Sequence, residues 1–141
     1  MEATRNDLSW KLTSPTALLT LLLGAFMLFL SISTTLDPVG AARGFGLPLS
    51  GAEALPWLSV KSGRDLGIGL AIVALVLSRQ RVAAGVFVLA SVVSPVVDAL
   101  TVIRGGASLA LALSVHGSAA LFCALLAAGL LRGRTAPVPV S

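Results

Sequence analysis

The sequence has few charged residues, one cysteine and no tyrosine. Charged side chains make up 11% of its 141 residues, and 56% are hydrophobic. Ordinary soluble domains carry about 25% charged residues, so this composition indicates a membrane protein. The single cysteine, Cys123, excludes an internal disulfide and a paired-cysteine redox site. The absence of tyrosine excludes phenolic acid–base chemistry.

The positive charge is small and dispersed. Ten basic residues give a net charge of +4, but they form no continuous run, and most stand at the ends of apolar segments. This distribution is typical of charges that set membrane topology, and a phosphate-binding patch would be more concentrated. We therefore expect the lipid bilayer as a partner and no nucleic acid.

Four segments are long and apolar enough to be transmembrane helices, which need about 20 residues each. The predicted spans are residues 14–36, 57–78, 82–103 and 107–131. Their short or apolar connections predict an all-α, integral membrane four-helix antiparallel bundle. The first span is too long for the apolar region of a signal peptide, and Trp10 is expected at its interface with water.

The remaining segments complete the predicted organisation. Residues 1–13 are expected to be a cytoplasmic N-terminal segment, followed by a transmembrane domain at 14–131. Within that domain, residues 37–56 are predicted to be an apolar outer loop that lies against the interface or folds over the bundle. Residues 132–141 are predicted to be a basic, disordered tail.

The basic residues also predict the orientation. Six of them lie at the termini and in the second connection: Arg5, Lys11, Arg79, Arg81, Arg132 and Arg134. The opposite side has Arg43 and Arg104, with Lys61 near the boundary. Because cytoplasmic segments carry the excess of Lys and Arg, we expect a multi-pass protein of the cell membrane with both termini in the cytoplasm.

The second span contains three charged residues, Lys61, Arg64 and Asp65. A helix starting only at Leu66 would offer thirteen uncharged residues, or about 20 Å of helix, against a hydrocarbon core of about 30 Å. We therefore predict a full helix from Trp57 with the charges inside it. Asp65 lies four residues after Lys61 and shares its face, whereas Arg64 needs another partner.

Two further polar residues lie in the third and fourth spans. Asp98 and His116 have depths similar to that of Arg64, about 9–14 Å from the outer end of the bundle. Asp98 belongs to a regular polar stripe of Ser91, Ser94, Asp98 and Thr101. An ion at a helix centre costs about 2.5–3.5 kcal/mol, and pairing Arg64 with Asp98 reduces that cost. Pro95, beside this stripe, is a predicted kink.

These residues define a candidate site in the outer half of the bundle. Lys61, Arg64, Asp65 and Ser94 are the candidate ligand-binding residues, and Asp98 and His116 are the candidate catalytic residues. A single histidine without ligand spacing predicts no metal site, and no cofactor is expected.

Three functions remain open at this stage. The site could bind a small apolar or lipid-like molecule, with Arg64 holding an anionic or carbonyl group. It could belong to a membrane-embedded isomerase or cyclase that uses Asp98 and His116 as acid and base. It could also be a buried ion-pair network in a structural or accessory subunit. A small proton-coupled transporter is disfavoured because residues 12–36 contain no acid.

Small residues recur on the faces of two spans. They are Thr20, Gly24, Ser31 and Thr35 in the first span, and Ala112, Ala120, Ala124 and Ala128 in the fourth. Such faces allow close helix packing, within the chain or in a homo-oligomer.

The order of several motifs resembles a known family. The motifs are Arg43-Gly44-Phe45-Gly46-Leu47-Pro48, Lys61-Ser62-Gly63-Arg64-Asp65-Leu66-Gly67-Ile68-Gly69, Pro95 with Asp98, and His116-Gly117. Together they resemble the small four-helix membrane proteins grouped as domain of unknown function 4267, over about residues 15–132. The resemblance implies the four-helix architecture, and it implies no activity.

Overall fold

The computed structural model describes residues 10–51 and 55–132, and every regular element in these ranges is a helix. The helices are α1 (Pro15–Leu36), α2 (Pro38–Phe45), α3 (Leu55–Leu77), α4 (Arg81–Ser91), α5 (Val93–Arg104), α6 (Leu109–Leu111), a π-helical segment (Ala112–Gly117) and α7 (Ser118–Leu131). Most of the predicted N-terminal segment and C-terminal tail lies outside the described residues.

Three helices are long and apolar enough to cross a membrane. They are α1, the α4–α5 helix (Arg81–Arg104), and the fourth helix (Leu109–Leu131), which comprises α6, the π segment and α7. Helix α3 has 23 residues and is continuous, so Lys61, Arg64 and Asp65 lie inside a helix as predicted. These three charges lie within five consecutive residues, which sets α3 apart from the other three helices.

Helices α1 and α3 are antiparallel and approach each other closely at two glycines. A Cβ atom added at Gly69 would lie 2.8 Å from Leu28 Cδ2 and 3.0 Å from the Gly24 carbonyl oxygen. Nearer the C-terminus of α1, the Ser31 and Ser62 hydroxyls are 3.0 Å apart. The predicted small-residue face of α1 is therefore occupied by α3 inside the chain, and a homo-oligomer stays a prediction.

The α4–α5 helix and α7 form a second antiparallel pair. A Cβ atom at Gly85 would lie 2.9 Å from Leu131 Cδ2, and Arg81 Nη2 donates to the Gly129 carbonyl at 3.1 Å. The two pairs meet in an apolar core at the end opposite α2, where Val76 and Leu130 are fully buried. Trp10 belongs to this core with 4% of its surface exposed, so it packs against the protein, and its position at the membrane interface stays a prediction.

The segment predicted as an apolar loop contains helix α2. Asp37 caps this helix by accepting a hydrogen bond from the Gly40 amide at 2.8 Å, and Pro38 occupies its first position. Gly46 ends the helix with φ of 98°, a left-handed conformation that favours glycine. A Cβ at Gly46 would lie 2.7 Å from Leu111 Cδ2, so α2 folds over the fourth helix.

The third predicted span is interrupted one turn before Pro95, the predicted kink. Because proline has no N–H, it cannot donate to the carbonyl of Ser91, four residues earlier. The helix accordingly breaks at Val92, which separates α4 from α5. Ser91, Ser94 and Asp98, spaced three and four residues apart on one face, line the same cavity.

Candidate functional site

A cavity of about 780 Å³ lies between the two helix pairs at the α2 end of the molecule. Its polar lining comes from the helix ends nearest α2 and includes Lys61, Arg64, Asp65, Ser94, Asp98 and His116. Its apolar lining extends towards the core and includes Leu23, Met27, Ile72 and Phe122. The cavity is thus polar at one end and apolar along the rest of its length.

Asp65 is the most deeply buried charge of the polar end, with 1% of its surface exposed. Its Oδ2 atom accepts a hydrogen bond from Lys61 Nζ at 2.6 Å, and its Oδ1 atom accepts one from Arg64 Nε at 3.2 Å. The predicted Lys61–Asp65 contact follows from their four-residue spacing. The Arg64 contact was not predicted, because adjacent helical residues point about 100° apart, and the long arginine side chain bridges that angle.

Arg64 also bridges two helices. Its Nη1 and Nη2 atoms donate to Asp98 Oδ1 and Oδ2 at 3.4 and 3.2 Å, a two-pronged contact from α3 to α5. The guanidinium plane suits this geometry because it presents parallel donors to a carboxylate. With Lys61 and Asp65, the cluster holds two positive and two negative charges and is electrically neutral.

His116 lies beside this cluster and contacts α2. Its Nε2 atom is 2.9 Å from the carbonyl oxygen of Phe45, and its ring packs edge-on against the Phe45 ring at 4.7 Å between centroids. Lys61 Nζ lies 5.6 Å from the centre of the same ring. Phe45 therefore joins His116 to the charged cluster.

His116 also lies within the π-helical segment Ala112–Gly117. A π-helical turn adds a residue to the helical repeat, which costs regular hydrogen bonding, and such turns are found frequently at functional sites. Here the wider turn carries the ring that reaches the Phe45 carbonyl. Composition and periodicity gave no signal for this turn.

The cavity is open on the side between α1 and the fourth helix. Four of its apolar lining residues are substantially exposed: Leu22 (61%) and Phe26 (50%) on α1, and Val115 (43%) and Phe122 (37%) on the fourth helix. Large apolar side chains at such an edge would face acyl chains in a bilayer. The opening therefore leads to lipid wherever these helices cross a membrane.

The structure brings all six sequence-predicted site residues to this one cavity. Arg64 contacts Asp98 as expected, whereas the hydrogen bond of His116 runs to Phe45 and not to Asp98. Sequence reasoning missed Phe45 as a site residue. Its signal in the sequence was its place in the family motif Arg43–Pro48, directly before Gly46.

Comparison with known proteins identifies the family of this chain. The model of the family described as Domain of unknown function (DUF4267) matches residues 24–130, well over half of the chain. The chain belongs to the DUF4267 family. The resemblance drawn from the sequence motifs is thereby confirmed. No match was found among curated proteins or among solved structures.

The DUF4267 match spans every residue of the candidate site, from Lys61 to His116. It also includes Phe45, and it begins at Gly24, one of the two glycines at the α1–α3 contact. The family description assigns no activity, so the chemistry of the site has to be argued from its geometry.

Proposed function

We propose that this DUF4267 protein is a multi-pass protein of the cell membrane that binds a small apolar or lipid-like molecule in the cavity. In this proposal α1, α3, the α4–α5 helix and the fourth helix form a four-helix transmembrane bundle. The positive-inside rule places both termini in the cytoplasm and α2 on the outer side. The cavity then occupies the outer half of the bundle.

The length of α3 and its neutral charge cluster support α3 as a further transmembrane span. Helix α3 has 23 residues and is about 35 Å long, which exceeds the hydrocarbon thickness of about 30 Å. Asp65 accepts hydrogen bonds from Lys61 and Arg64, and Asp98 accepts them from Arg64. Intramembrane charges are tolerated when they pair inside a bundle.

The cavity itself carries the proposal of ligand binding. A volume of about 780 Å³ lies within the range of roughly 300–1,000 Å³ that small-molecule sites occupy. An apolar body with a few convergent polar groups is also typical of such sites. A network with only a structural role would pack without such a space, so the cavity favours binding over a purely structural function.

The acid–base alternative has weaker support. Both carboxylate oxygens of Asp98 accept hydrogen bonds from Arg64, so a substrate would have to compete with the guanidinium for this carboxylate. No hydrogen bond joins Asp98 to His116 among the described residues. An isomerase or cyclase using these two residues therefore stays a hypothesis, testable by turnover of an Asp98→Asn variant.

Arg64→Gln is expected to release the bound molecule. The substitution removes the guanidinium and leaves Asp98 unpaired at the polar end of the cavity. Losing one charge-assisted hydrogen bond to the ligand, about 1.5–3 kcal/mol, corresponds to an affinity at least about tenfold lower, and therefore to lower occupancy. Native mass spectrometry of protein extracted in mild detergent measures the occupancy.

The matched control is Arg104→Gln, because Arg104 is an exposed arginine at the end of α5 that does not line the cavity. It should retain the molecule at the wild-type level. Equal occupancy in wild type and Arg64→Gln, or no bound molecule in any of the three proteins, would count against the proposed function.

The proposed orientation predicts which engineered cysteines are accessible from outside the cell. In a Cys123→Ser background, Ser50→Cys should react with a membrane-impermeant maleimide on intact cells, because Ser50 is exposed near α2. Ser141→Cys should react only after permeabilisation. The reverse pattern would place the termini outside.

A further inference from the structure

The charge balance of the polar end restricts what it can bind. Lys61 and Arg64 are matched by Asp65 and Asp98 through hydrogen bonds of 2.6–3.4 Å. A bound carboxylate or phosphate would bring an unmatched negative charge into a poorly solvated site next to two carboxylates. Burying an unpaired ion is costly, so the site suits an uncharged polar group.

The hydrogen bond of His116 determines which polar group fits. The Phe45 carbonyl oxygen only accepts, so Nε2 carries the hydrogen in that bond. In the uncharged ring, Nδ1 then has a free lone pair and acts as an acceptor. The ring can therefore accept a hydrogen bond from a ligand that carries a donor.

Nδ1 is also available to a ligand. No hydrogen bond to Nδ1 forms within residues 10–51 and 55–132. In the same ranges, the one fully buried side-chain nitrogen or oxygen without a partner is Arg81 Nε. Nδ1 therefore lacks a partner without being fully buried, and it belongs to a residue that lines the cavity.

We infer that the cavity takes an uncharged long-chain alcohol from the bilayer and that its hydroxyl group donates to His116 Nδ1. This inference rests on the proposed function and specifies its ligand class. A hydroxyl both donates and accepts, so its oxygen is also a partner for a donor at the polar end. The lateral opening beside Leu22 and Phe122 admits the chain from lipid, without passage through water.

Three matched photoaffinity probes test this inference. Each has the same sixteen-carbon chain with one diazirine, and the head group is a hydroxyl, its methyl ether or a carboxylate. Protein in lipid nanodiscs is illuminated with each probe at about pH 9, well above the ordinary pKa of a carboxyl. Peptide mass spectrometry then measures labelling of cavity residues such as Phe26 and Phe122.

We expect the alcohol to label the cavity about 3–10 times more than the ether, which lacks the donor, as one hydrogen bond predicts. The carboxylate should label at least about tenfold less than the alcohol. His116→Gln should make alcohol and ether equal. Glutamine places an amide N–H near the position of Nε2, which keeps the bond to Phe45, and has no acceptor at the position of Nδ1.

The outcomes separate this inference from the proposed function. If none of the three probes labels the cavity, the proposed function fails, and the inference fails with it. If the carboxylate labels as strongly as the alcohol, the cavity binds lipids but the uncharged class is wrong. If the ether equals the alcohol in the wild type, or the preference for alcohol survives in His116→Gln, Nδ1 is not the acceptor.

Discussion

Asp65→Asn should destabilise the protein by about 3–5 kcal/mol, the usual cost of removing one partner from a buried ion pair. Asp65 is almost fully buried and accepts hydrogen bonds from both Lys61 and Arg64. Asparagine keeps the shape of the side chain but removes its charge. The cluster would then hold two cations and one anion, and Lys61 would lie in a largely buried site without an ionised partner. Thermal unfolding in detergent, followed by circular dichroism, measures the loss.

A double variant separates charge balance from other causes. Lys61→Met in the Asp65→Asn background removes the unmatched cation and leaves the neutral Arg64–Asp98 pair, so more than half of the lost stability should return. Asp37→Asn is the matched control, because asparagine is an equally good helix N-cap and Asp37 is exposed. A double variant no more stable than Asp65→Asn alone would show that the loss does not come from charge imbalance.

Gly69→Ala should cost about 1–3 kcal/mol, the range for inserting an extra carbon into a packed interface. The new Cβ would lie 2.8 Å from Leu28 Cδ2 and 3.0 Å from the Gly24 carbonyl oxygen. The leucine side chain can rotate, but the backbone oxygen moves only if α1 moves away from α3. Separation of these helices would also weaken the Ser31–Ser62 contact.

Gly67→Ala is the matched control for this substitution, two residues away on the same helix. Nothing lies within 4 Å of a Cβ placed at Gly67. Alanine there should raise stability by up to about 1 kcal/mol, because glycine is the poorer helix former. The two variants should therefore shift the unfolding temperature in opposite directions. Equal shifts would mean that α1 and α3 are farther apart at Gly69 than they are in the structure.

The contacts that were predictable from the sequence are those set by local geometry. The four-residue spacing of Lys61 and Asp65 places them on one face of any helix. The Arg64–Asp98 pair followed from depth, because two charges at the same level of antiparallel helices have few other partners. The apolar lengths of α1, the α4–α5 helix and the fourth helix also follow from composition alone.

The position of His116 could not be predicted in this way. Its partner, the Phe45 carbonyl, lies 71 residues away in the chain and belongs to a helix whose segment resembles an apolar loop. The π-helical turn that carries His116 contacts Phe45 of α2 and packs against α5. No local pattern encodes a contact between two segments so far apart.

The sequence by itself determined the membrane class, the family motifs and the set of residues at the polar end. Tertiary structure alone decided whether those residues would surround a space or pack against each other. The helix backbones enclose a certain volume, and their side chains fill most of it. The cavity volume is the small difference between the two. Here α1 and α3 approach closely at Gly69, and α2 lies over the fourth helix. A space of about 780 Å³ remains between the two helix pairs, beside a neutral ion cluster.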